Sequence, residues 1–186
     1  MNAILNNEVK NLNPISAGLK AKLTPAELEQ YTEYEGVWYF NPQGAVIIPD
    51  LPAKPSKYHK WNGTEWIPDT TKKQELITAI RAKIDADTDA KILNDFKFEG
   101  VGFKLSLENQ MNYKAEHELR DTLTYPHKVK SIDGYHQFQD ATEYHHFYLS
   151  AVAFIRSTIE AGWDAKDALE GMTTEELIDL YKDRCI

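Results

Sequence analysis

The pair Asn62-Gly63 constrains this 186-residue chain more than any other feature, because it stands between Tyr58-His59-Lys60-Trp61 and Thr64-Glu65-Trp66-Ile67. Asn-Gly between β-prone residues is the strongest short-range hairpin signal, since both turn positions can take positive φ. Pro68 and Asp69 close that unit, and Thr70 or Thr71 opens a helix whose apolar face carries Ile77, Ile80, Ile84 and Ile92. Lys, Arg and Asp fill the opposite face, as an amphipathic helix requires. The switch from hairpin to long helix places a domain boundary after Asp69, dividing the chain into residues 1–69 and 70–186.

Upstream, an Asn-rich opening broken by Pro14 and Gly18 has no period and reads as an extended or loosely attached arm. Thr24-Pro25-Ala26-Glu27 combines an N-cap, a first-turn proline and a capping glutamate, predicting a helix of two or three turns that ends before Gly36. Val37-Trp38-Tyr39-Phe40 and Ala45-Val46-Ile47-Ile48 flank the turn formers Asn41-Pro42-Gln43-Gly44 and predict a hairpin. Pro49, Pro52 and Pro55 make the following segment a stiff connector, each removing a backbone donor and fixing its φ.

The second part alternates helices and hairpins. Phe96-Lys97-Phe98 turns at Glu99-Gly100 into Val101-Gly102-Phe103, and its aromatic faces need a cover. Ser106 caps a helix whose stripe of Leu107, Met111, Ala115, Leu119 and Leu123 is suited to that role, and Tyr125-Pro126 stops it. A third hairpin turns at Asp133-Gly134. The longest helix, from Ala141 to Ala161, carries Tyr144, Phe147, Tyr148, Ala151, Phe154, Ile155 and Ile159 on one face, with Gly162 placed to close it. Thr173-Thr174-Glu175-Glu176 starts a last helix with a second capping box. The expected class is α+β: a small N-terminal β-hairpin unit, then a larger domain of helices alternating with β-hairpins.

Twenty-one basic residues against 29 acidic ones give a net charge of -8, which opposes nucleic acid and anionic membrane surfaces as partners. No apolar run approaches the length of a membrane span, and the first residues lack the pattern of an export signal. The single Cys185 excludes an internal disulfide and a Cys-rich zinc site.

Asp85-Ala86-Asp87-Thr88-Asp89 opens like a calcium loop, but Ala90 stands where glycine is needed and Phe96 where a bidentate glutamate is needed. His145-His146, with His136 and Glu143 nearby, invite a metal, yet adjacent helical residues diverge by about 100°, and no pair spaced by four is present. Neither a nucleophile elbow nor a phosphate-binding glycine loop exists, so no catalytic residue, metal or cofactor is expected. An enzyme would need a cleft assembled from dispersed carboxylates such as Asp85, Glu116 and Glu143. The remaining unusual feature is aromatic density: Trp38, Tyr39, Phe40, Tyr58, Trp61 and Trp66. Trp61 and Trp66 can stack across strands in service of the fold, or Trp38, Tyr39, Trp61 and Trp66 can form a surface for a protein partner or a sugar face.

Lys60-Trp61-Asn62-Gly63-Thr64-Glu65-Trp66-Ile67-Pro68-Asp69, running directly into a charged helix, resembles the middle of bacteriophage tail-fibre assembly proteins. The stretch Phe96 to Phe103, with Gln110, Asn112 and the Tyr135–Trp163 block, is similar to an uncharacterised domain (DUF4376-like) common in phage and prophage tail genes. The resemblance spans residues 30 to 165. It implies a chaperone-like assembly factor that binds the tip of the tail-fibre protein and aids its folding or trimerisation, without turnover. Its setting would be the cytoplasm of an infected or lysogenic bacterium, or the virion tail. A structural, receptor-binding component retained in the virion, touching host glycan through the same tryptophans, is the alternative. The C-terminal part is larger than the short helical end of many assembly proteins, so the site of fibre contact stays open.

Overall fold

Tight turns decide which β-prone runs pair in this α+β chain. A computed structural model describes residues 1–5, 8–48 and 51–185. The chain divides into two compact units, Met1–Lys73 and Gln74–Ile186, so the division falls four residues beyond the boundary read from the sequence.

In the N-terminal unit, β1 (Asn2–Leu5) pairs antiparallel with β2 (Glu8–Asn11), while Asn6 and Asn7 lie outside the described residues. The other edge of β1 takes β5 (Val46–Ile47), in register Ala3↔Ile47 and Ile4↔Val46, and Ala3 is fully buried. The opening is therefore a sheet rather than the expected arm, because Ala3, Ile4 and Leu5 supply enough apolar surface to be covered. After α1 (Ala17–Lys20), the Thr24–Glu27 capping box forms as expected. The helix it starts, α2 (Pro25–Leu28), is one turn and not two or three.

The reason is competition from strand pairing. Tyr31, Thr32 and Tyr34 favour extended backbone, and Glu35-Gly36, at φ 47° and 78°, make a two-residue turn. So β3 (Tyr31–Tyr34) pairs with β4 (Val37–Phe40), taking the partner that Ala45–Ile48 was expected to have. Buried Asn41 redirects the chain: its Nδ2 donates to Thr32 Oγ1 and the Ala45 carbonyl at 2.9 Å each, and its Oδ1 accepts from the Ala45 amide at 2.8 Å. The Asn62-Gly63 hairpin is present as β6 (His59–Trp61) and β7 (Trp66–Pro68). Its loop has four residues, not two, because Asn62 Oδ1 accepts from the amides of Thr64 and Glu65 while Gly63 alone in the loop takes positive φ. Pro52 and Pro55 lie in irregular chain; Pro49 lies outside the described residues.

The C-terminal unit follows the expected alternation. At the end of the N-terminal unit Asp69 caps a 3-10 turn, Thr70–Lys72, that leads into α3 (Lys73–Asn94), which buries Leu76, Ile77, Ile80 and Ile84. A two-residue turn at Glu99 (φ 49°) and Gly100 (φ 83°) joins β8 (Lys97–Phe98) to β9 (Val101–Gly102). Then come α4 (Leu107–Glu118), capped by Ser106, and the hairpin of β10 (His127–Ser131) with β11 (Gly134–Phe138). Its pairing Ser131↔Gly134 puts the loop at Ile132-Asp133, one residue earlier than expected. The long α5 (Ala141–Ala168) is capped by Asp140, and α6 (Thr174–Cys185) begins with the expected Thr173–Glu176 box.

The core between these elements is aromatic. Phe147 of α5 has ring centroids of Phe96, Phe98, Phe103, Tyr113, Phe138 and Tyr144 at 4.8–5.8 Å, in tilted and edge-on arrangements. Such pairs add roughly 0.5–1.5 kcal/mol each beyond the area they bury. From α4 the core takes Tyr113, not the leucine stripe. Leu107, Met111, Ala115 and Leu119 point into solvent, overturning the expectation that they cover the hairpins.

Gly162 was expected to end α5, yet the helix runs six residues past it. Its role is close approach: a Cβ there would lie 2.8 Å from Thr88 Oγ1 on α3 and 3.7 Å from Thr88 Cβ. The salt bridges Asp85–Lys166 (2.7 Å) and Arg81–Glu170 (2.8 Å) hold the same pair of segments together. Gly162→Ala should therefore lower stability in urea denaturation when Thr88 is present. In a Thr88→Ala background the same change should stabilise by up to about 1 kcal/mol, the ordinary helical gain of alanine over glycine.

Candidate functional site

The turned-out stripe of α4 and the adjoining face of α5 make an apolar concavity in the C-terminal unit. On α5, Tyr148, Val152, Ile155 and Ile159 recur four, three and four residues apart, so they fall on one side of the helix. Leu107 and Met111 of α4, 73% and 65% exposed, wall a pocket of about 250 Å³ with Val152 and Ile155. A second depression of about 480 Å³ continues past Gln110 and Ile159 to Trp163, which is 57% exposed. Gln110, Val152 and Ile155 line both, so the two form one groove. Lys114, Arg156 and Glu160 add charge to its lining.

The aromatic residues singled out in the N-terminal unit occupy different settings. Trp61 and Trp66 are cross-strand partners, edge-on with centroids 5.3 Å apart. Trp66 Nε1 donates to the Pro52 carbonyl at 2.8 Å, so this indole also fastens the proline connector to the hairpin. Trp38 lies on the other hairpin, opposite Glu33, with Lys20 Nζ 4.1 Å from its ring centroid. Both tryptophans of the pair and Trp38 keep part of their surface exposed. Tyr39 does not: it is buried, bridged to Pro14, and belongs to the packing of the unit.

A polar cleft of about 550 Å³ lies between α4 and the β10–β11 hairpin, lined by Lys104, Lys128, Lys130, Asn109 and Asn112 with Glu116. Tyr144 Oη donates to Glu116 Oε2 at 2.6 Å, and His127 Nε2 lies 3.3 Å from the same oxygen. Burial, then the hydrogen bond and charge of Glu116, push the Tyr144 phenol far above its usual value. Burial and then Glu116 push Tyr113 up to about 12. Both phenols are therefore donors, not bases, near neutral pH.

The carboxylates considered for catalysis are engaged separately: Asp85 with Lys166, Glu116 with Tyr144, and Glu143 with the Gln139 amide at the start of α5. The aspartates from Asp85 to Asp89 lie along α3 and form no loop. His145 pairs with His117, its Nδ1 2.7 Å from His117 Nε2, and not with His146. Burial, then Arg120 and His145, lower the pKa of His117. One convergence of ligand-type atoms does exist among the described residues, formed by Glu99, His136 and Glu143. Sequence reading set His136 and Glu143 beside His145-His146 as a metal cluster it then disfavoured, and it missed Glu99, whose only signal was its place in a tight turn.

No family model, curated protein or solved structure matches this chain. Among the described residues, no helix is long and apolar enough to cross a membrane.

The two raised phenols fix the alkaline behaviour. Above about pH 10 an unfolded tyrosine ionises, while Tyr113 and Tyr144 in the folded chain keep their protons. The folded state then binds more protons than the unfolded one, so stability falls as pH rises. Urea denaturation between neutral pH and pH about 11 should show this loss, and Tyr144→Phe should flatten it.

Proposed function

We propose that this chain is a non-enzymatic binding protein that assists assembly of a bacteriophage tail fibre. The observation that carries the binding reading is the groove between α4 and α5, an apolar surface that the fold leaves open although it buries ten neighbouring aromatic and aliphatic residues in its core. Exposed apolar concavities of this kind mark interaction sites. The spacing of Tyr148, Val152, Ile155 and Ile159 is that of a helix seam that receives a second helix. The occupant is thus an amphipathic helical segment of the fibre protein, laid with its apolar face in the groove.

The phage setting rests on the tryptophan hairpin and the residue 96–163 pattern described above. Trp38, Trp61 and Trp66 offer the fibre a second contact through the exposed parts of their rings, whereas Tyr39 is buried and takes no part in it. Capture of the apolar segment before the fibre trimerises would keep that segment from associating with others of its kind. The site of action is the cytoplasm, where the fibre chain is made.

Co-expression with the fibre gene immediately upstream should yield soluble fibre that co-purifies with this protein. Met111→Asp combined with Val152→Asp should abolish co-purification while the melting midpoint stays close to wild type, since both side chains are exposed. Trp61→Ala should weaken capture less. Normal capture by the double aspartate variant would remove the groove from the proposal.

A further inference from the structure

The β8–β9 turn, strand β11 and the first turn of α5 bring three ligand-type side chains to one place. One carboxylate oxygen each of Glu99 and Glu143 and one ring nitrogen of His136 lie within 4.8 Å of one another. Each arrives there for a structural reason. Glu99 is the first residue of the two-residue turn, held at φ 49°. Glu143 sits at the start of α5, where its Oε2 accepts from the Gln139 amide at 2.6 Å, fixing the carboxylate and leaving Oε1 for another partner. The His136 ring is packed edge-on against Phe98, Phe103 and Phe138, with centroids 6.3, 5.9 and 4.6 Å away.

His136 Nε2 is buried and makes no hydrogen bond. Its nearest acidic atom, Glu143 Oε1, is 3.5 Å away, too long for a good N–H···O bond. Buried polar atoms are rarely left unsatisfied. Two ligands held about 2.1 Å from a tetrahedral ion stand roughly 3.4 Å apart, which matches the His136–Glu143 separation. Glu99 is exposed at the turn, and its carboxylate oxygen stands within 4.8 Å of the other two ligand atoms.

We propose that Glu99, His136 and Glu143 bind one divalent cation of the zinc class, with water in the fourth position. One imidazole and two carboxylates suit a first-row divalent ion better than calcium or magnesium, which prefer all-oxygen shells. The ion would tie the β8–β9 turn to β11 and α5, three elements that surround the aromatic core. This proposal is independent of the one concerning the groove, and it departs from the expectation of no metal because the ligands have no motif spacing in sequence.

Tag-free full-length protein, stripped with chelator, should bind zinc with 1:1 stoichiometry in calorimetry, and its melting midpoint should rise on loading. Glu99→Gln, at an exposed turn, should leave the metal-free midpoint unchanged and lower zinc affinity by at least about tenfold. His136→Asn should abolish the zinc-dependent rise. Absence of zinc binding, or equal affinity in wild type and Glu99→Gln, would overturn the three-residue site.

Discussion

The aromatic core of the C-terminal unit is arranged around the ring of Phe147. Six aromatic neighbours come from both hairpins, α4, α5 itself and Phe96 just ahead of β8, so a single side chain connects the two hairpins to the two helices that cover them. Truncating a ring in such a position costs about 3–5 kcal/mol, a large part of the stability of an ordinary domain. Edge-on and tilted ring pairs also have preferred geometries, so this core specifies the orientation of its helices as well as holding them.

That choice of core has a consequence on the outside. Because the aromatic cluster accepts Tyr113 from α4, the helix is rotated with Leu107, Met111 and Leu119 outward. The apolar residues of α5 at Val152 and Trp163 lie on the same open flank. Folding thus decides what stays outside: the aromatic interior leaves the aliphatic stripe exposed. The polar side of α4 is fixed in the same way, since Glu116 is held by the buried Tyr144 phenol and faces a cleft lined with lysines.

Turn chemistry and capping were legible in the sequence because they depend on a few adjacent residues. The Thr24–Glu27 and Thr173–Glu176 boxes, the Glu99-Gly100 turn and the tryptophan hairpin all formed. Partner choice was less legible. Val37–Phe40 could pair with either neighbouring run, and the tighter Glu35-Gly36 turn won. The four-residue periodicity of α4 announced an apolar face, but periodicity says nothing of what covers it, and Leu107, Met111 and Leu119 stay exposed. Gly162 looked like a terminator; its value is the close contact with Thr88, which only the fold reveals. The place of Glu99 beside His136 and Glu143 was invisible for the same reason, these residues being joined by folding and not by spacing.

Hydrogen–deuterium exchange of the full chain, alone and with the tail-fibre protein proposed as its partner, is the most direct test. Amides of α4 and of the Leu149–Trp163 stretch of α5 should gain protection on complex formation, while the β3–β4 hairpin changes less. Protection confined to the N-terminal hairpins, with the α4–α5 flank exchanging as in the isolated protein, would contradict it.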